Sequence, residues 1–191
     1  MDRQASRPAE PDNYRVGTLI FLMAGVMLFA GLVGGLLALR YGGPGWPAPG
    51  MPRLPKGLAG FNTLVIALSS LVLGRALRAM RTLDARGLRR GLLQAAGLGS
   101  AFLLLQMVQW WRLISRGLTF TGTTYGGTFY LLTGAHAAHA LGGVVWLLAI
   151  ALRQREVWVP DRRQRRIEVS ALYWHFVGLV WIGLYLVLYV I

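Results

Sequence analysis

The residues of this chain that could do chemistry inside an apolar segment are three histidines, one glutamate and a few neutral amides and hydroxyls. His136 and His139 lie three apart in one apolar run, so on a helix they share a face. His175 lies in the next run, seven residues after Glu168 and on the same face. Imidazole pairs at such spacing can bind copper or zinc. Here no carboxylate stands near the pair and there is no cysteine, which excludes disulfides, Cys-ligated zinc and copper, and iron–sulfur clusters. Nor can two histidines on one face serve as the two axial ligands of a haem, which approach from opposite sides. The reading that remains is a structural hydrogen-bond network joining the two runs. Glu168 opens its run, where the helix dipole favours an acid; it is also placed to meet a positive charge or a lipid headgroup. Asn62, Thr63, Ser69, Ser70, Gln106 and Gln109 are neutral polar residues of the kind that hydrogen-bond between membrane helices. No acid lies in the middle of a run, which disfavours a proton pump or an ion-coupled carrier. There is no phosphate loop, nucleophile–base pair or carboxylate pair, so neither a catalytic nor a metal-binding residue is assigned.

The elements that carry these residues follow from composition. Of 191 residues 55% are hydrophobic and 14% charged, with a mean hydropathy of +0.50, so lipid must cover much of the surface. The net charge of +13 does not indicate nucleic acid, because the basic residues sit in short runs between long apolar stretches. A polar tail over 1–15, containing Pro8 and Pro11, precedes one membrane domain over 16–191. The predicted fold is an all-α bundle of five transmembrane helices, at about 16–39, 58–77, 91–111, 128–152 and 169–191. The second run is short and spans only if Arg75 and Arg78 snorkel to the interface. Trp110, Trp111, Tyr125, Trp158, Trp174 and Tyr189 fall near the expected ends, as an aromatic belt would. Fifteen of the 20 basic residues lie in the tail and in the second and fourth loops. The other side holds Arg40, Arg53, Lys56, Arg112 and Arg116, so the N-terminus is expected in the cytoplasm and the C-terminus in the periplasm. Small residues recur at helical spacing as expected packing ridges: Gly31 and Gly35; Gly91, Ala95 and Gly99; Gly134, Ala138 and Gly142. No internal repeat marks an inverted-repeat transporter.

Two stretches are specific enough to suggest a family. Tyr125-Gly126-Gly127-Thr128-Phe129-Tyr130 leads into Thr133-Gly134-Ala135-His136-Ala137-Ala138-His139 and Gly143. Later come Glu168 and Tyr173-Trp174-His175-Phe176-Val177, with Trp181 beyond. Together they resemble subunit III of the haem–copper oxidases, in the five-helix form typical of bacteria. Phe61-Asn62-Thr63, Ser69-Ser70, Gln106 and Trp110 fit the same pattern earlier in the chain. Three family acids are missing: their places are held by Gly25, Gln109 and Gly178.

The resemblance implies an accessory, non-catalytic subunit of a cytochrome c or quinol oxidase in the bacterial inner membrane. Such a subunit binds no haem or copper, which belong to the partner subunit I, and it packs with subunits I and II. It supports assembly, phospholipid binding and sustained O2 reduction in aerobic respiration. The residues it implies for a lipid-binding or structural polar network are His136, His139, Glu168, Tyr173, Trp174 and His175. The alternatives are an accessory subunit of a nitric oxide reductase, which shares the fold, and a small carrier or channel.

Overall fold

The computed structural model describes residues 13–42, 46, 52, 54–153 and 161–191. They form five helices in chain order: α1 (Asn13–Gly42), α2 (Lys56–Arg81), α3 (Ala85–Ile114), α4 (Thr124–Arg153) and α5 (Asp161–Tyr185). A π-helical turn, Leu186–Val190, continues α5. Residues 1–12 of the polar tail lie outside the described residues, as does Trp158, while Asn13 to Arg15 already belong to α1.

All five helices are long and apolar enough to cross a membrane. At about 1.5 Å per residue they exceed the roughly 30 Å of a hydrocarbon core. The helices continue past the apolar runs because the backbone must stay internally hydrogen-bonded until it reaches water. The residues at their ends, such as Arg75, Arg78 and Arg81 in α2, are good helix formers with side chains long enough to snorkel toward a membrane interface.

Helices α2 and α3 share the most extensive contact, and α3 packs on α4. Helix α5 closes the group against α2 and α4, while α1 leans on α5 and touches α4 lightly. Gly25, Phe29 and Leu36 form the narrow buried stripe of α1; Val16, Ile20, Met23 and Met27 face outward. Phe29 and Leu36 meet Leu132 of α4 and Leu184 of α5.

The α2–α3 turn is fixed by its own chemistry. Leu83 adopts φ 58°, a left-handed conformation rare for a branched side chain. This reverses the chain so that the amide of Asp84 donates to the Ala79 carbonyl at 2.9 Å. The Asp84 carboxylate then accepts from the Gly87 amide at 2.9 Å and caps α3. Asp84→Ala is expected to cost about 1 kcal/mol, seen as a lower midpoint when the detergent-solubilised chain is unfolded with SDS. An unchanged midpoint would show that the cap adds nothing to the hairpin.

The α3–α4 connection depends on two glycines. Gly117 sits at φ +88°, and a Cβ on Gly126 would overlap the Thr119 carbonyl oxygen. Tyr130 donates its hydroxyl to the Leu118 carbonyl at 2.8 Å, which draws this loop onto the end of the bundle.

Candidate functional site

The site is built around two tryptophans of α5 that lie seven residues apart on one face. Trp174 is fully buried. A Cβ on Gly99 of α3 or Gly143 of α4 would stand 2.5 Å or 2.7 Å from its indole carbons, so the two glycines form the socket that admits the ring. Its Nε1 donates to the Ser69 hydroxyl at 3.0 Å, and Ser69 donates on to the Ala95 carbonyl at 2.8 Å. One side chain therefore ties together α2, α3, α4 and α5. Trp174 is not part of an interfacial belt, contrary to the expectation from its place near the start of the run. Helix α5 begins well before that run, and the paired glycines leave a ring-sized gap in the interior.

Further along α5, Trp181 repeats the device. Its Nε1 donates to the Thr63 hydroxyl at 3.0 Å, and Thr63 donates to the Ala59 carbonyl of its own helix at 2.9 Å. Trp181 packs edge-on against Phe102 of α3, with ring centroids 4.8 Å apart.

His136 is buried in an aromatic cage. Its ring centroid lies 5.1 Å from that of Trp181, 5.7 Å from Phe102 and 6.2 Å from Phe29. Neither ring nitrogen has a hydrogen-bond partner among the described residues. His139 is half-buried; its Nδ1 lies 2.8 Å from the carbonyl of Ala135 in its own helix, and its ring meets Phe29 at 5.2 Å. Tyr173 links α5 to α4 by donating to the His139 carbonyl at 2.9 Å. Tyr173 and the backbone of His139 thus provide a hydrogen bond between α4 and α5, whereas neither ring nitrogen of His136 makes one among the described residues. The wide aromatic rings around His136 bring no donor or acceptor within reach.

The amides form a second group toward the other end. Asn62 donates to the Phe102 carbonyl at 3.3 Å and lies 3.5 Å from Gln106 Oε1. Gln109 donates to the Tyr189 hydroxyl at 2.5 Å. Tyr189 lies in the π-helical turn, whose extra residue per turn changes the direction of its side chains. Trp110 donates to the Thr133 hydroxyl at 3.1 Å.

Glu168 and His175 meet a cleft instead of the core. They line a cavity of about 440 Å³ between α1, α2 and α5, together with Arg81, Arg165, Leu77 and Leu172. His175 also borders a neighbouring apolar groove of about 410 Å³ with Ser70 and Gly178.

The packing ridges divide. Gly91 and Gly99 are close contacts: a Cβ on Gly91 would stand 2.6 Å from that of Ala76. Ala95, between them on the ridge, is fully buried. Gly31, Gly35 and Gly134 meet no atom within 4 Å, and Ala138 and Gly142 are exposed. The inner face of α4 is Thr133, His136, Ala140, Gly143 and Leu147, which turns the expected ridge outward. Gly143 is the small residue of α4 that does the packing.

Nothing in the spacing of single residues identified the Ser69–Trp174 and Thr63–Trp181 bonds. The signal available was partial: Trp174 and Trp181, seven residues apart, share a face of α5, but Thr63 and Ser69, six apart, lie about 120° round α2 from one another. Among the described residues no group of three or more histidines and acids gathers as a metal site.

Comparison with known proteins agrees with this architecture. The family model for cytochrome c oxidase subunit III matches residues 7–191. The chain is 34% identical over 182 residues to a cytochrome c oxidase subunit 3 of Synechocystis, covering 95% of this chain and 77% of that protein. It is 33% identical over 184 residues to that of Corynebacterium diphtheriae, covering 95% and 89%. A probable cytochrome c oxidase subunit 3 of Nocardia farcinica is 33% identical over 181 residues, covering 94% and 88%. The family resemblance carried by the Tyr-Gly and Tyr-Trp-His-Phe-Val stretches therefore extends over nearly the whole chain, which belongs to the cytochrome c oxidase subunit III family.

Proposed function

We propose that this accessory subunit lies in the bacterial inner membrane with its N-terminus in the cytoplasm, packs against the haem–copper subunit I and subunit II, and holds phospholipid in the cleft beside Glu168. The observation that carries the lipid reading is the make-up of that cleft. Arg81, Arg165, Glu168 and His175 line it together with the apolar Leu77, Val169 and Leu172. Cations beside an acid suit a headgroup bearing both charges, and the apolar wall suits an acyl chain. In this reading haem and copper belong to the partner subunit. The outward small residues Gly31 and Gly35, with the apolar face of α1, supply a surface on which another membrane helix can approach closely.

Affinity purification of the tagged chain in mild detergent tests the assembly. The expected result is co-purification of a haem-bearing subunit, while the chain purified alone shows no haem absorption and no oxidase activity. Recovery of the folded chain with no haem-bearing partner would sink the reading. For the cleft, Arg81→Gln together with Arg165→Gln is expected to lower the phospholipid retained by the purified complex, measured by native mass spectrometry. Unchanged retention would remove the cleft from the proposal.

A further inference from the structure

The end of the bundle remote from Glu168 carries a second cavity of a different electrical character. It encloses about 300 Å³ and is lined by Arg40 of α1, Lys56 of α2, Tyr125 of α4 and Tyr189 of the π-helical turn, with Trp46 and Leu188 as apolar wall. Among the described residues no acid lines this cavity: Asp84 belongs to the α2–α3 turn and Glu168 to the other cleft. The sequence between α1 and α2 and between α3 and α4 contains Arg53 and Arg116 but no aspartate or glutamate. Among the described lining residues neither cation has an acidic side chain beside it, and Arg40 is bonded to the main-chain oxygen of Ile191.

Three further observations point to an occupant. Tyr125 is 7% exposed, held by the edge of Trp46 with ring centroids 4.8 Å apart, and its hydroxyl has no hydrogen-bond partner among the described residues. The residue lines the cavity, so its hydroxyl is available to donate to an occupant there. Helix α2 begins here at Lys56 with Pro55 as its N-cap, and no side chain caps it, so its first amides also face this end. The Arg40 guanidinium is drawn over the cavity by donating to the main-chain oxygen of Ile191.

We propose that this cavity binds a phosphate-bearing anion, held between the Arg40 guanidinium, the Lys56 ammonium and the Tyr125 hydroxyl. A phosphate offers acceptor oxygens to all three donors, and a helix N-terminus adds favourable potential. The same chemistry is presented by the headgroup of an anionic phospholipid and by free inorganic phosphate. The cleft beside Glu168 has mixed charge, so the two ends of the subunit would select different ligands.

Lys56 is the sole lysine of the chain, which gives the test a single reporter. The full chain is labelled with 15N at lysine Nζ and reconstituted in vesicles of an uncharged glycosyl diacylglycerol, which contains no phosphorus. Phosphatidylglycerol is added to one series and inorganic phosphate to another, and magnetic-resonance dephasing of the Lys56 nitrogen by 31P is measured. Saturable dephasing is expected, with half-saturation moved about tenfold upward by Tyr125→Phe and by Arg40→Gln, each of which removes a hydrogen bond to a charged group. Saturation with phosphatidylglycerol identifies a lipid headgroup; saturation with inorganic phosphate alone identifies a free anion. Absence of dephasing in both series would overturn the proposal. So would dephasing indifferent to both substitutions, because a lysine merely resting among headgroups does not depend on Tyr125.

Discussion

Trp174→Ala is expected to be among the most damaging single substitutions in this subunit. The indole is fully buried in a socket made by Gly99 and Gly143, and its Nε1 reaches Ser69 at 3.0 Å. Removing it leaves a ring-sized void among four helices, a change that costs about 3–5 kcal/mol in a core that cannot collapse. The glycines cannot close the gap, having no side chains to extend. Trp174→Phe keeps most of the ring but drops the bond to Ser69, which still donates to Ala95, so the expected cost is about 1–2 kcal/mol. SDS unfolding of the solubilised chain should rank wild type above Phe and Phe above Ala. The haem-bearing partner recovered with the tagged chain should fall in the same order. Equal midpoints for all three would show that the junction does not hold the bundle together.

Much of this fold was legible in the sequence, for a physical reason. A membrane helix satisfies its backbone within itself, so apolar length alone fixes the number of spans. That is why five runs correspond to five helices even though the ends differ by several residues. Which face of each helix turns inward was harder to read. In lipid both faces are apolar, and hydropathy does not separate a core stripe from a lipid-facing one. In the structure Gly91 and Gly99 of the ridge Gly91–Ala95–Gly99 face Ala76 and Trp174, contacts that the spacing of small residues alone does not name. The ridge Gly134–Ala138–Gly142 turns outward instead, because Gly143, one residue on, occupies the inner face.

The three places where the resemblance leads one to expect acids show the same dependence on partners. Gly25 lies against the Phe176 ring, where a Cβ would be 3.0 Å away, and a Cβ on Gly178 would stand 3.1 Å from the Ser70 hydroxyl. Gln109 gives its amide to Tyr189. These neighbours occupy the space around each position, so the interface is packed without an acid there. Helices carrying neutral groups at these positions can hold a neighbour without offering a chain of protonatable groups through the bundle.

His136 separates a structural role from a chemical one most cleanly. Its ring is enclosed by Phe29, Phe102 and Trp181, and both nitrogens lack partners among the described residues. In such a cage the imidazole acts through its shape, while its unpaired nitrogens cost free energy. His136→Ala removes the shape and is expected to lose on the order of 3 kcal/mol of stability. His136→Phe restores a ring and removes the unpaired polar atoms, so its stability should stay within about 1 kcal/mol of wild type or exceed it. The decisive comparison uses the assembled oxidase. If the Phe variant assembles with the normal haem content but no longer sustains O2 reduction, a ring nitrogen of His136 takes part in chemistry and the packing role is wrong. Normal turnover by His136→Phe, beside poor assembly of His136→Ala, assigns the histidine to the shape of the interface. It would also explain why an ionisable residue is tolerated there without a counter-charge: the aromatic rings that deny it a hydrogen bond fill the space a charge partner would need.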